Sequence, residues 1–134
     1  MTQEHKELLL KDICARLPYG IKCIVTKSRT EEGQKGDVGK IICVCLEGVD
    51  CIDNTLFFSE FGNFKPYLFP LSTMTEEEGE DYQKIRMIDW VHGDINGTFI
   101  NASLIVDWLN AHHFDYRGLI EKGLAIDATN LNIY

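Results

Sequence analysis

The chain has 134 residues, 45% hydrophobic and 25% charged, the make-up of one ordinary globular domain spanning residues 1–134. Its 21 acidic side chains outnumber 13 basic ones, leaving a formal net charge of −8. That balance argues against a broad nucleic-acid surface, which needs cations to release counterions, and against a basic helix lying on a membrane.

In chain order, Thr2 is an N-cap with Glu4 and Glu7 near the positive end of a helix dipole. Leu9, Leu10, Ile13, Cys14 and Leu17 recur at three- and four-residue spacing, which predicts an amphipathic helix over residues 3–16. Pro18 and Gly20 end it. A β-rich region follows, with strands expected over 21–26, 38–46, 49–52 and 55–59 and a turn over Glu31–Gly39. Phe64–Leu71, with two prolines, reads as an extended edge segment.

Thr75-Glu76-Glu77-Glu78 is a capping box opening a helix that runs to Val91, with Tyr82, Ile85, Ile88 and Val91 inward. Gly93–Gly97 reads as a turn. A further helix is expected over 102–112, with Ile105, Trp108, Leu109 and His112 on one stripe. A short helical turn over Tyr116–Glu121 ends at Gly123, and 124–126 reads as a final strand. The fold class is therefore α+β. A small antiparallel β-sheet or SH3-like barrel (residues 21–70) is packed by an N-terminal helix and two C-terminal helices.

Charge is uneven along the chain. Residues 1–74 hold 9 basic and 10 acidic side chains, residues 75–134 hold 4 and 11, and much of the excess falls in Glu76–Asp81 at the start of one helix. No apolar run approaches the ~18–20 residues that span a bilayer. Met1–Lys11 carries four charges and no signal-peptide core, so the expected location is the cytoplasm. Five cysteines (Cys14, Cys23, Cys43, Cys45, Cys51) without C-x-x-C spacing suit buried thiols in a reducing compartment. Cys43 and Cys45 would share one strand face.

Sequence motifs for chemistry are sparse. Gly33–Lys40 fails as a phosphate loop, because five residues separate its first glycine from Gly39-Lys40 and Ile41 follows. His92-Gly93-Asp94 fits a turn better than a metal site. There is no nucleophile elbow, paired-carboxylate pattern or H-E-x-x-H, and no metal or cofactor is expected. Trp90 and Trp108 read as core or interface anchors. The densest polar cluster runs from His112 to Arg117. His112, His113, Asp115, Tyr116 and Arg117 combine a possible base, a carboxylate to orient it and a cation. Adjacent histidines on a helix point ~100° apart, which disfavours a shared metal. A helix end followed by a polar turn explains the same residues structurally.

The stretches Leu8–Gly20, Lys65–Glu78 and Asp107–Ala125 cover about a third of the chain. They resemble a family of short proteins encoded by gut Bacteroidales genomes, often in prophage or other mobile-element context. The resemblance implies a cytosolic bacterial protein of phage-like origin, and carries no activity, cofactor or catalytic residue with it. Lys27–Asn63 and His92–Asn101 fall outside it.

Three readings follow. The first is a non-enzymatic protein-interaction module that binds a host or phage protein through the β-region edge and its loops. The second is an acidic nucleic-acid mimic acting against host defence, which requires one continuous stripe of carboxylates. The third is a small-molecule binder or enzyme using His112, His113, Asp115, Tyr116 and Arg117, which requires a pocket where they converge.

Overall fold

The computed structural model describes residues 1–27, 36–53, 55–92 and 95–134, and over 86–102 the backbone alone. Helix α1 (Gln3–Arg16) starts where Thr2 Oγ1 accepts from the His5 N–H at 3.1 Å. It ends in a 3-10 turn over Leu17–Tyr19, and Gly20 takes the left-handed step (φ 76°) that releases the chain into the sheet. Its inward face departs from the expected stripe. Leu9 and Ile13 are buried, Cys14 is exposed, and the other fully buried positions are Asp12 and Arg16. Such a pair breaks the apolar periodicity yet can face inward because each charge satisfies the other.

Strands β1 (Lys22–Val25), β2 (Val38–Val44), β3 (Gly48–Ile52), β4 (Leu56–Glu60) and β5 (Phe64–Pro70) follow, and neighbours pair antiparallel in the order β4-β3-β2-β1-β5. Two short strands, β6 (Phe114–Asp115) and β7 (Ile126–Asp127), join β5 in parallel to complete a seven-stranded sheet. The strand order has two ends, so of the two expected architectures the open sheet is the one observed. Its inner face is covered by Leu9 and Ile13 of α1 and by Leu119, Leu124 and Ala125 of the C-terminal segment, which form one core with Ile21, Val25, Ile41, Val49, Phe57, Phe64 and Leu68.

Strand β2 carries a bulge. It pairs Lys40 with Ile52 and Ile41 with Cys51, then slips to Cys43 with Asp50 and Val44 with Val49, leaving Ile42 as the extra residue. The slip reverses the alternation, so Ile41 is buried and Cys43 exposed. The core placement expected for all the cysteines therefore holds only for Cys23 and Cys51; Cys14, Cys43 and Cys45 are exposed. The two buried thiols lie on β1 and β3 with β2 between them, their Sγ atoms 3.4 Å apart. Gly39 on β2, opposite Cys23, leaves room for them: a Cβ there would stand 3.2 Å from Cys51 Cβ.

The segment expected at the sheet edge, Phe64–Leu71, is instead the strand with the most partners: β5 pairs β1, β6 and β7. Its prolines fit through backbone parity. The Tyr67 carbonyl accepts from Tyr134, whose hydroxyl also accepts from Lys22 N–H of β1, so Tyr67 faces the β1 flank. Leu68, one residue out of phase, accepts from Ala128 N–H on the opposite flank. Pro66 shares the parity of Leu68, so its missing N–H faces the flank that β1 does not use. The open edge lies at β4.

Helix α2 (Glu76–His92) begins with the expected capping box: Glu78 N–H donates to Thr75 Oγ1 at 3.1 Å and Thr75 N–H donates to Glu78 Oε1 at 3.0 Å. Tyr82 and Ile85 are half-buried; the side chains of Ile88, Trp90 and Val91 lie outside the described residues. Helix α3 (Ile95–Ala111) starts earlier than expected, so the turn read over Gly93–Gly97 does not extend to Ile95–Gly97. Gly93 and Asp94 lie outside the described residues, and with them the His92-Gly93-Asp94 reading; so does most of the Glu31–Gly39 turn. The helical turn expected over Tyr116–Glu121 is a non-helical turn over 119–123 closed by Leu124 N–H to the Leu119 carbonyl, with Gly123 at φ 72°. The final strand is displaced to β7, which starts at Ile126.

Candidate functional site

The His112–Arg117 segment is built by the end of α3. His112 N–H donates to Trp108 O and His113 N–H to Asn110 O, after which His113 adopts a left-handed conformation (φ 62°) and the chain turns into β6. That reversal sends the two imidazoles to different neighbours. His112 stacks on Trp108 at 4.0 Å between ring centroids, with Nδ1 2.9 Å from the Trp108 carbonyl. His113 stacks on Tyr134 at 3.6 Å and 11°. Trp108 in turn stacks on Phe114 at 5.8 Å.

Of the other three predicted residues, Tyr116 and Arg117 converge on the buried end of α1, while Asp115 turns to the following loop. Arg16 reaches Asp12 through Nε (2.8 Å) and Nη2 (3.2 Å), and Nη2 also donates to the Phe114 carbonyl at 2.6 Å. Arg117 Nε approaches the same Asp12 carboxylate at 3.2 Å. Both guanidiniums lie about 5 Å from the Tyr116 ring centre, 5.1 Å for Arg16 and 5.0 Å for Arg117. The Tyr116 hydroxyl donates to Asn110 Oδ1 at 2.8 Å. Asp115 accepts from the N–H groups of Leu119 (3.0 Å) and Ile120 (2.9 Å), which fixes the following turn.

Electrostatics separates the groups further. Burial, reinforced by Arg16, His112 and Lys22, pushes the His113 imidazole down to about 4, so it is neutral at pH 7. Burial raises the Tyr134 phenol to about 12. His113 Nδ1 and Arg16 Nη1 are buried without hydrogen-bond partners among the described residues. Both imidazoles stack on aromatic rings, and His112 also meets a backbone carbonyl, whereas a catalytic dyad needs a carboxylate or nucleophile in hydrogen-bond reach. Asp12, Arg16 and Asn110 belong to this network and were not singled out from the sequence. The available signal was the i, i+4 Asp-Arg pair interleaved with Leu9 and Ile13.

A cleft of about 230 Å³ adjoins this network, lined by Phe69, Thr75, Glu78, His112, Phe114 and Thr129 among others. It is smaller than the ~300–1,000 Å³ of ordinary ligand pockets. No group of three or more metal-ligating side chains occurs among the described residues. No described helix is long and apolar enough to cross a membrane.

A second surface emerges from the sheet register. Ile52 stands opposite Leu56, Asp50 opposite Phe58, and Lys40 opposite Ile52, so these side chains share the face of β2–β4 turned away from the core. The bulge adds Ile42 and Cys43 beside them. Ile42 (45%), Ile52 (42%), Leu56 (61%) and Phe58 (48%) are all substantially exposed, whereas their strand neighbours Ile41, Cys51 and Phe57 are buried. Single exposed apolar residues are ordinary; four on adjacent strands with one outward face are not. No family model, curated protein or solved structure matches this chain.

Proposed function

We propose that this protein is a non-enzymatic protein-interaction module that docks through the outer face of β2–β4. The observation that carries the reading is the juxtaposition of Ile42, Ile52, Leu56 and Phe58 on adjacent strands, exposed and backed by a packed core. The His112–Arg117 network supports it from the other side, because its polar groups are spent mostly on one another and on the backbone. The setting that accompanies this reading is the cytoplasm of a Bacteroidales cell, with a host or phage protein as partner.

A benzophenone amino acid at position 58 tests it in a lysate of such a cell. The expected product is an adduct of one discrete mass, absent when the same probe replaces Lys122 and lost when Ile52→Asp is added. An identical adduct from both positions, or none from position 58, overturns the reading.

A further inference from the structure

Resting on the interaction reading above, we propose that the occupant of this surface is an extended segment of a partner protein, alternating apolar with basic residues, which adds to β4 as a further strand. Among the described residues β3 is the only strand paired with β4. Backbone phase decides which groups are open. Phe61 N–H donates to Glu47 O (3.1 Å) and Asp53 N–H to Thr55 O (3.3 Å), so odd-numbered positions along β4 face β3. Leu56 and Phe58 are out of phase and turn their N–H and C=O groups to the open edge. The same two residues supply the exposed side chains nearest that edge, so an added strand gains a backbone ladder and an apolar platform together.

The composition of β4 is also that of an unguarded edge. Natural edge strands are blunted by charged side chains, above all lysine, or by proline, whereas β4 reads Leu56-Phe57-Phe58-Ser59-Glu60, with neither lysine nor proline and its one charge at the last position. Charge selects the occupant. Asp50 lies on the face itself, and the exposed Glu47 and Asp53 flank β3; the cations the register sets on the same side, Lys40 of β2 and Lys22 of β1, stand farther from the β4 edge. A second copy of this chain would bring its own carboxylates against these, while lysine or arginine on the incoming strand would meet them favourably.

Nine-residue peptides added to the isotope-labelled protein and followed by NMR provide the test. A peptide of alternating valine and lysine is expected to bind, to slow amide exchange of Leu56 and Phe58 at least tenfold, and to give backbone contacts to β4. Alternating valine and glutamate, and a valine–lysine peptide interrupted by proline, are expected to bind at least tenfold more weakly. Phe58→Pro removes an outward N–H without touching the ladder to β3 and should abolish binding, whereas Phe58→Thr should retain part of it. Equal binding of the proline-interrupted peptide, shifts centred away from residues 56–60, or a concentration-dependent dimer that protects the same amides would each overturn the proposal. A position-58 adduct together with an inert valine–lysine peptide would refute this occupant and leave the interaction reading standing.

Discussion

Arg16 Nη2 lies 2.6 Å from the carbonyl oxygen of Phe114, a residue 98 positions later in the chain. The bond ties the last turn of α1 to β6, and Asp12, with 0% side-chain exposure, holds the guanidinium in place. Removing one partner of a buried ion pair strands the other, at about 3–5 kcal/mol. Asp12→Ala should therefore lower the free energy of urea unfolding by that amount, since it leaves Arg16 and Arg117 facing each other. Arg117→Ala, whose side chain is 20% exposed, should cost about 1 kcal/mol. The double change Asp12→Leu/Arg16→Met should cost less than Asp12→Ala alone, retaining about 1–3 kcal/mol for the unpaired Phe114 carbonyl.

The cysteines divide into two chemical classes. Cys14, Cys43 and Cys45 are exposed, while Cys23 and Cys51 are buried and free. Contact with Cys51, followed by burial, pushes the Cys23 thiol far up. The two strands are separated by β2, and with their Sγ atoms 3.4 Å apart the two Cα atoms stand about 8–9 Å from each other, beyond the ~7 Å a disulfide can span. A thiol-reactive dye should label three cysteines in the native protein and all five in denaturant. Oxidation without unfolding should leave the Cys23–Cys51 pair reduced in peptide mapping.

His113 makes stability depend on pH below neutrality. Its folded value, about 4, lies below the ordinary 6.5, so between these limits the unfolded chain binds more protons. Stability is complete above pH 6.5 and falls as the pH drops toward 4. The linkage is worth at most about 3 kcal/mol, and about 1–2 once screening at a half-buried ring is allowed for. His113→Asn tolerates φ 62° and should flatten this limb of the melting temperature against pH curve; His113→Val should destabilise at every pH through backbone strain.

Two glycines should respond oppositely to alanine. At Gly48 a Cβ would press into the Ser59 carbonyl oxygen and lie 2.8 Å from Glu60 Cα, so β3 and β4 must separate locally. Gly48→Ala should cost more than about 2 kcal/mol by chemical denaturation. At Gly79, inside α2, nothing stands within 4 Å of the built Cβ, and Gly79→Ala should stabilise by about 0.5–1 kcal/mol.

What local chemistry dictates was readable in the sequence. Thr2 and Gly20 bound α1, Thr75 and Glu78 form their capping box, and the apolar runs between glycines become β1–β4. What depends on distant partners was not. Asp12 and Arg16 look like solvated helix charges until Phe114 and Arg117 arrive from the other end of the chain. Pro66 argued for an edge because parity, which decides where its missing N–H points, depends on which strand lies beside it. The outer face was hidden for a similar reason: Leu56-Phe57-Phe58 is apolar on both sides, and the bulge at Ile42 reverses the alternation that would have placed Cys43 inside.

The long span between Arg16 and Phe114 also sets a delay during synthesis. At about 5–20 residues per second, the ribosome finishes α1 some 5–20 s before β6 has been made. Throughout that interval Arg16 lacks the Phe114 carbonyl and Asp12 lacks Arg117, so the sheet can hold α1 only through Leu9 and Ile13. The β1–β4 meander, whose pairings are local, can form first. The helix that leads the sequence is thus locked in place late, when the tail brings the carbonyl that its arginine requires.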